Sequence, residues 1–181
     1  DYTPFARHRD KAIADRCDEA EIPFYRCDDC ALAPIEDVRT NEGNIYTVFT
    51  PFMRKVASAP VPEPHRNNYD NFFSGSMHTQ TVDLSEYQAD IKGLDLILSG
   101  GRKEGLKLLR ENDYLSDYEK TRNLPAQSGT SRLSAHHKFG TISIRETYHM
   151  AKTAGSNSDS FLSELYWRDF YLYISYHFPK V

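Results

Sequence analysis

Phe161-Leu-Ser-Glu164-Leu-Tyr-Trp167-Arg168-Asp169-Phe170-Tyr171 decides how the C-terminal half of the chain is read. Glu164, Trp167, Arg168 and Tyr171 stand at i, i+3, i+4 and i+7, the spacing that gathers four side chains on one face of a helix. That helix is predicted from about Asp159 to His177. A carboxylate, a large aromatic ring and a guanidinium on one face can recognise a nucleobase. Trp167 would stack, Glu164 would accept from base N–H groups, and Arg168 could reach phosphate or stack. The same spacing also describes a core tryptophan beside an i,i+4 Glu–Arg pair.

Upstream, Gly129-Thr130-Ser131-Arg132-Leu133-Ser134 is expected to open a helix that Gly140 ends in a left-handed cap. A helix N-terminus offers unpaired N–H groups and a positive dipole end. With two hydroxyls and a guanidinium beside it, it makes a phosphate cradle. Gly129 permits close approach of a ligand. The plainer reading is an ordinary Ser/Thr cap. Ser143-Ile-Arg-Glu146 matches a capping box and starts another helix, ended by Gly155. Gly100-Gly101 precede a helix over Arg102–Asn112, whose Leu106, Leu108 and Leu109 suggest a buried stripe, and Asn112–Arg122 forms a second, short one. Tyr118, one short loop before the cradle, is a lid residue or ordinary packing. Adjacent His136 and His137 make a poor metal pair and read as cationic or hydrogen-bonding residues near the cradle. No strand signal appears in this half, which reads as all-α.

The N-terminal half has a different pattern. Residues 4–20 form an amphipathic helix with Thr3 as cap and Pro4 in the first turn. Ile22-Pro-Phe-Tyr-Arg-Cys27 is a short strand candidate, Asn44–Val48 a brief extended segment, and Thr50 caps a helix with Pro51 at its first position. That order indicates part of an α/β layer. Residues 57–86 carry Pro60, Pro62 and Pro64 and then polar residues without periodicity, the mark of a linker. The predicted organisation is therefore 1–56 α/β, 57–86 linker and 87–181 helical.

The formal net charge is −4, which argues against blanket affinity for nucleic acid. Between Lys120 and Arg145, however, five basic residues (Lys120, Arg122, Arg132, Lys138 and Arg145) occur with no Asp or Glu. A local basic patch on an acidic chain suits a bound anion such as phosphate, or a solvated face. No apolar run is long enough to span a bilayer. Three cysteines, Cys17, Cys27 and Cys30, fit a reducing, cytoplasmic setting. Cys27-Asp-Asp-Cys30 has a metal-ligand spacing without a second pair, so ordinary thiols are expected and no metal. Both ends read as cut, so an internal fragment is expected, and nothing suggests a symmetric interface beyond a monomer.

Together these segments resemble the DNA photolyase/cryptochrome family, in its class I-like deoxyribodipyrimidine photolyase branch. The resemblance is carried by Asp1-Tyr-Thr-Pro-Phe-Ala-Arg7, Tyr46-Thr-Val-Phe-Thr-Pro-Phe52, Gly100-Gly-Arg102, Thr130–Ser134 followed by Lys138-Phe-Gly140, and Glu164–Phe170. It implies a partial Rossmann-like α/β antenna domain followed by the first part of an all-α domain that binds FAD. It further implies that Thr130, Ser131, Arg132, Leu133 and Ser134 contact the FAD phosphates and that Tyr118 is a flavin contact. Phe161 stands where bacterial relatives can have Trp against the flavin. Arg122 matches a residue that meets the DNA backbone. Glu164 and Trp167 match the pocket for a flipped pyrimidine dimer, with Arg168 and Tyr171 on the same DNA-facing helix. An antenna chromophore of folate or deazaflavin type is compatible. The implied activity is light-driven repair of cyclobutane pyrimidine dimers, carried by the flavin while the protein orients the partners.

Two other readings compete. A cryptochrome would share the flavin fold without repair, but it has no need of a base pocket, so Glu164 and Trp167 favour repair. A helical interaction module with fortuitous motifs would bind no flavin.

Overall fold

Among the residues that the computed structural model describes (2–65, 68–76, 83, 85, 93–111, 113–154 and 158–180), the regular elements are all helical. They are α1 (Pro4–Glu19), α2 (Phe49–Ala57), α3 (Arg102–Arg110), a 3₁₀ turn at Asp113–Ser116, α4 (Tyr118–Thr121), α5 (Ser134–Lys138), α6 (Ile144–Thr153) and α7 (Asp159–His177). The boundaries follow local chemistry. Thr3 caps α1, its hydroxyl accepting from Ala6 N at 3.3 Å, and Pro4 opens it. Ser143 and Glu146 form the reciprocal capping box of α6. Gly140, at φ 66°, follows α5 in the left-handed conformation that suits glycine.

Helix α7 is the axis of the core. Apolar residues occupy more than one of its faces, which marks a buried helix. Phe161, Leu162, Leu165, Tyr166, Phe170 and Tyr173 are all buried, and α2, α4 and α6 pack around it. On the α2 side Phe52 is fully buried against Phe170 and Tyr173, with ring centroids 5.3 and 4.8 Å away. The Tyr173 hydroxyl donates to Val38 O at 3.1 Å and accepts from Tyr46 N at 3.0 Å, fastening the segment before α2. Residues 31–35 and α2 thus share one core with α7.

Several expectations need correction. Neither Ile22–Cys27 nor Asn44–Val48 forms a strand, and no strand occurs among the described residues, so the α/β character assigned to 1–56 has no sheet behind it here. A strand exists only through its ladder, and Ile22–Cys27 lies exposed without one. Helix α2 begins at Phe49, capped by Val48 rather than Thr50, because proline is tolerated anywhere in a first turn and Phe49 is drawn in by packing. Asn112–Arg122 is a 3₁₀ turn plus a single helical turn rather than one helix. Helix α3 ends at Arg110; Asn112 and the predicted stop at Gly155 lie outside the described residues.

Candidate functional site

Phe161, Leu165, Arg168 and Leu172 recur at i, i+4, i+7 and i+11 along α7 and form one wall of a cavity of about 470 Å³. Tyr118 of α4 faces them. Ser131, Ser134, His137 and Lys138 come from the loop before α5 and from α5 itself, and Cys30 joins them from the N-terminal part of the chain. The floor is apolar: Phe161, Leu165 and Tyr118 are buried. Tyr118 meets Phe161 edge-on at 5.3 Å, and Tyr114 backs both rings. Burial pushes the Tyr114 hydroxyl up to about 12 and leaves it without a partner among the described residues.

At the mouth, Arg122 Nη1 donates to Glu164 Oε1, joining the end of α4 to α7, with both side chains about one-third exposed. Tyr118 is linked to the pair through its charges. Burial raises the Tyr118 pKa, the Glu164 charge adds to that rise, and Arg122 opposes it. Three residues with different predicted roles are therefore one network.

Deeper along α7, Arg168 Nη1 donates to the Cys30 carbonyl at 2.6 Å, and Asp169 Oδ2 accepts from Leu32 N at 2.7 Å. Asp169 is fully buried, and burial lifts its carboxyl to about 7 against the lowering effect of the Leu32 and Ala33 N–H groups and Arg168. His137 donates to or accepts from Thr147 Oγ1 at 2.8 Å; burial first, then the Arg168 charge, press its pKa down to about 4. His137 is therefore a neutral hydrogen-bonding wall residue rather than a cation.

Of the residues singled out in the sequence, Tyr118, Ser131, Ser134, Phe161, Glu164 and Arg168 line this cavity. Thr130 and Arg132 are exposed on the same loop, where Arg132 Nη2 donates to Ser128 Oγ at 2.9 Å; Leu133 is buried and anchors the loop in a small cluster with Leu109 and Ile142. The loop does not open a long helix as expected. Arg132 adopts φ 54°, which a right-handed helix excludes, so α5 starts only at Ser134 and spans five residues. Gly129 makes a close approach, but to Thr121 rather than to a ligand: a methyl group there would overlap the Thr121 side chain and lie 3.0 Å from its carbonyl carbon.

The four-residue face on α7 divides. Trp167 is not a cavity residue; Phe49 stacks on it at 3.7 Å with planes 10° apart, and Tyr171 lies beside it, exposed. Arg168 is turned inward to Cys30 rather than free for phosphate. Leu165 and Leu172 were missed, although they continue the Phe161–Arg168 line. Cys30, 138 residues from Arg168, had no local signal. Cys17, Cys27 and Cys30 are free thiols.

The geometry defines a helical protein with an apolar-floored, cation-rimmed cavity, and comparison with known proteins gives it relatives. Residues 1–65 match the family model described as DNA photolyase. The chain is 31% identical to the deoxyribodipyrimidine photo-lyase of Halobacterium salinarum over 97% of its own length and 40% of that protein's. It is 30% identical to the enzyme of that name from a Synechococcus strain, over 100% of this chain and 41% of the relative. A crystal structure of a bacterial class III photolyase from Agrobacterium tumefaciens superposes with a TM-score of 0.85 at 25% identity, covering 99% of this chain and 40% of that one. Along nearly its whole length the chain is thus similar to members of the DNA photolyase family. It spans about 40% of the length of these relatives.

Proposed function

We propose that the intact protein splits cyclobutane pyrimidine dimers in DNA by light-driven electron transfer, and that this cavity is its half of a flavin and DNA site. The observation behind the reading is that one cavity is lined by Tyr118, Ser131, Ser134, Phe161, Glu164 and Arg168, which the sequence scatters over 51 positions. The lining fits FAD in kind. Buried Phe161, Tyr118 and Leu165 offer surface to a planar apolar ring, while Ser131, Ser134 and Lys138 offer hydroxyls and a cation to an anionic end.

Reduced FAD held by these residues would supply light-driven one-electron chemistry to the dimer. The chain's own part is binding and orientation. Thr130 and Arg132, exposed on the loop, extend the phosphate-facing surface, and Leu133 holds that loop to the core. Glu164 accepts hydrogen bonds from dimer N–H groups. Trp167, backed by Phe49, and exposed Tyr171 supply stacking surface, while Arg122 takes a backbone phosphate. Arg168 acts here through the wall it braces at Cys30. A dimer is already unstacked and weakly paired, so flipping it costs less than flipping a normal pair. On the same reading, 1–56 belong to an α/β antenna domain, 57–86 to the linker and 87–181 to the flavin domain of a cytoplasmic monomer.

The test is repair by the intact protein, reduced and illuminated, on an oligonucleotide carrying one dimer. Glu164→Ala should lower repair yield far more than flavin content. Equal repair by that variant removes Glu164 from the mechanism. No light-dependent loss of dimers by the wild type removes the function and leaves a photoreceptor.

A further inference from the structure

The Tyr118–Arg122–Glu164 network has a property that the separate roles of its members do not contain. Arg122 and Glu164 are each other's partners, and each is the natural partner of a different part of a nucleic acid. A guanidinium pairs with phosphate, and a carboxylate accepts from base N–H groups. Both side chains are about one-third exposed, so a ligand arriving at the mouth can reach either. Neither can serve a ligand fully while it serves the other. An exposed ion pair of this kind is weak enough to be exchanged for a better partner. The pair also stands where the inner and outer surfaces meet, since Glu164 lines the cavity while both its side chain and that of Arg122 are partly exposed.

We infer that Arg122 is a specificity-determining exchange residue: a DNA phosphate takes it from Glu164, and only then is the Glu164 carboxylate free to accept from a base presented to the cavity. This rests on the repair reading above and deepens it. Backbone binding and base recognition become sequential. Undamaged DNA captures Arg122 and leaves Glu164 as an unpaired acceptor, which is unfavourable, whereas a flipped dimer supplies the missing donors. Discrimination thus arises from losing a partner on the wrong substrate as much as from gaining one on the right substrate.

The exchange makes a signed prediction. Removing the Glu164 charge releases Arg122, so Glu164→Gln should strengthen binding of undamaged DNA while weakening the preference for a dimer. A general loss of negative charge near DNA would strengthen binding too, but it would do so whatever stands at position 122. Fluorescence anisotropy with the intact protein and a short duplex, with and without one dimer, separates the two. In the wild-type background, E164Q should bind the undamaged duplex up to about fivefold more tightly, the scale of an exposed ion pair. In the Arg122→Gln background the same substitution should give no gain. Arg122→Lys retains the charge, and should therefore retain the E164Q gain and show that the Arg122→Gln result is not a folding defect. A wild type that prefers the dimer duplex, with an E164Q gain that persists in Arg122→Gln, overturns the exchange alone. A wild type with no preference overturns the repair reading and the exchange with it.

Discussion

Residues 30–35 and residues 128–134 both reach the same cavity, through Cys30 and through Ser131 and Ser134, and they treat their side chains in opposite ways. In the first, Ala31, Leu32 and Ile35 are buried, and the backbone is held at two points by α7, through Cys30 O to Arg168 and Leu32 N to Asp169. In the second, Thr130, Arg132 and Ser134 are exposed and Ser131 half-buried, and the loop is held only at its ends, by Gly129 against Thr121 and by buried Leu133. One loop spends its polar groups on the fold; the other leaves them for something outside the chain. Substitutions in the first should therefore be read as stability, and substitutions in the second as ligand affinity.

Asp169 gives the largest break. Asp169→Ala leaves Leu32 N–H buried without an acceptor and removes the partner at 3.4 Å from Arg168. The expected cost is about 3 kcal/mol, read as a lower urea midpoint. Asp169→Asn keeps an acceptor and should cost much less at neutral pH, but it should change the pH dependence. The folded Asp169 carboxyl ionises only near 7, well above its unfolded value, so the wild type loses stability through this group as pH rises from about 4 to 7. His137 slopes the other way. Its folded pKa of about 4 lies below the ordinary histidine value of about 6.5, so stability is lost as pH falls between those values. The two nearly cancel in the wild type. With Asp169→Asn the opposing slope of Asp169 is gone and that of the histidine is left uncompensated, so stability should fall on acidification, His137 contributing up to about 1.4 kcal/mol per pH unit. Denaturation midpoints at pH 4.5 and 6.5 that shift equally in both proteins would refute the assignment.

The two loops were not equally legible in the sequence. The exposed loop announces itself because its hydroxyls and guanidinium sit in a row, and the face of α7 follows from helical spacing within one element. Caps at Thr3 and Ser143 and the stop at Gly140 are local too, and they were readable for that reason. The buried loop has no such row. Its apolar run Cys30–Ile35 hints at burial, but its fixation by Asp169 joins residues 137 apart, and nothing local names that partner. The strand expected at Ile22–Cys27 failed for a related reason: alternation describes a segment, whereas a ladder needs a second one. The stacking of Trp167 on Phe49 likewise depends on a contact across 118 positions, which periodicity within α7 cannot express.

Gly129 sharpens the contrast, because it is the buried hinge of the exposed loop. A methyl group there meets Thr121, including backbone 3.0 Å away, so relief requires moving the end of α4. Gly129→Ala should cost about 2 kcal/mol by overpacking and displace the Ser131 and Ser134 hydroxyls together. Thermal unfolding should show the first effect and flavin binding the second. Unchanged affinity in a destabilised protein would mean that the loop's position does not matter to the ligand.

The smallest stability effect is the most diagnostic. Arg132→Ala with Ser134→Ala removes one exposed guanidinium and one exposed hydroxyl, neither holding any buried group, so the unfolding midpoint should move by no more than about 0.5 kcal/mol. Flavin absorbance that co-elutes with the intact wild-type protein on gel filtration should nevertheless fall at least tenfold, since the loop gives up its charge and a hydroxyl toward the phosphates. A comparable loss of both stability and flavin would place these residues with the buried loop and erase the distinction. Retained flavin with retained stability would leave Ser131 and Lys138 as the anion's partners, because they line the cavity itself while Arg132 does not.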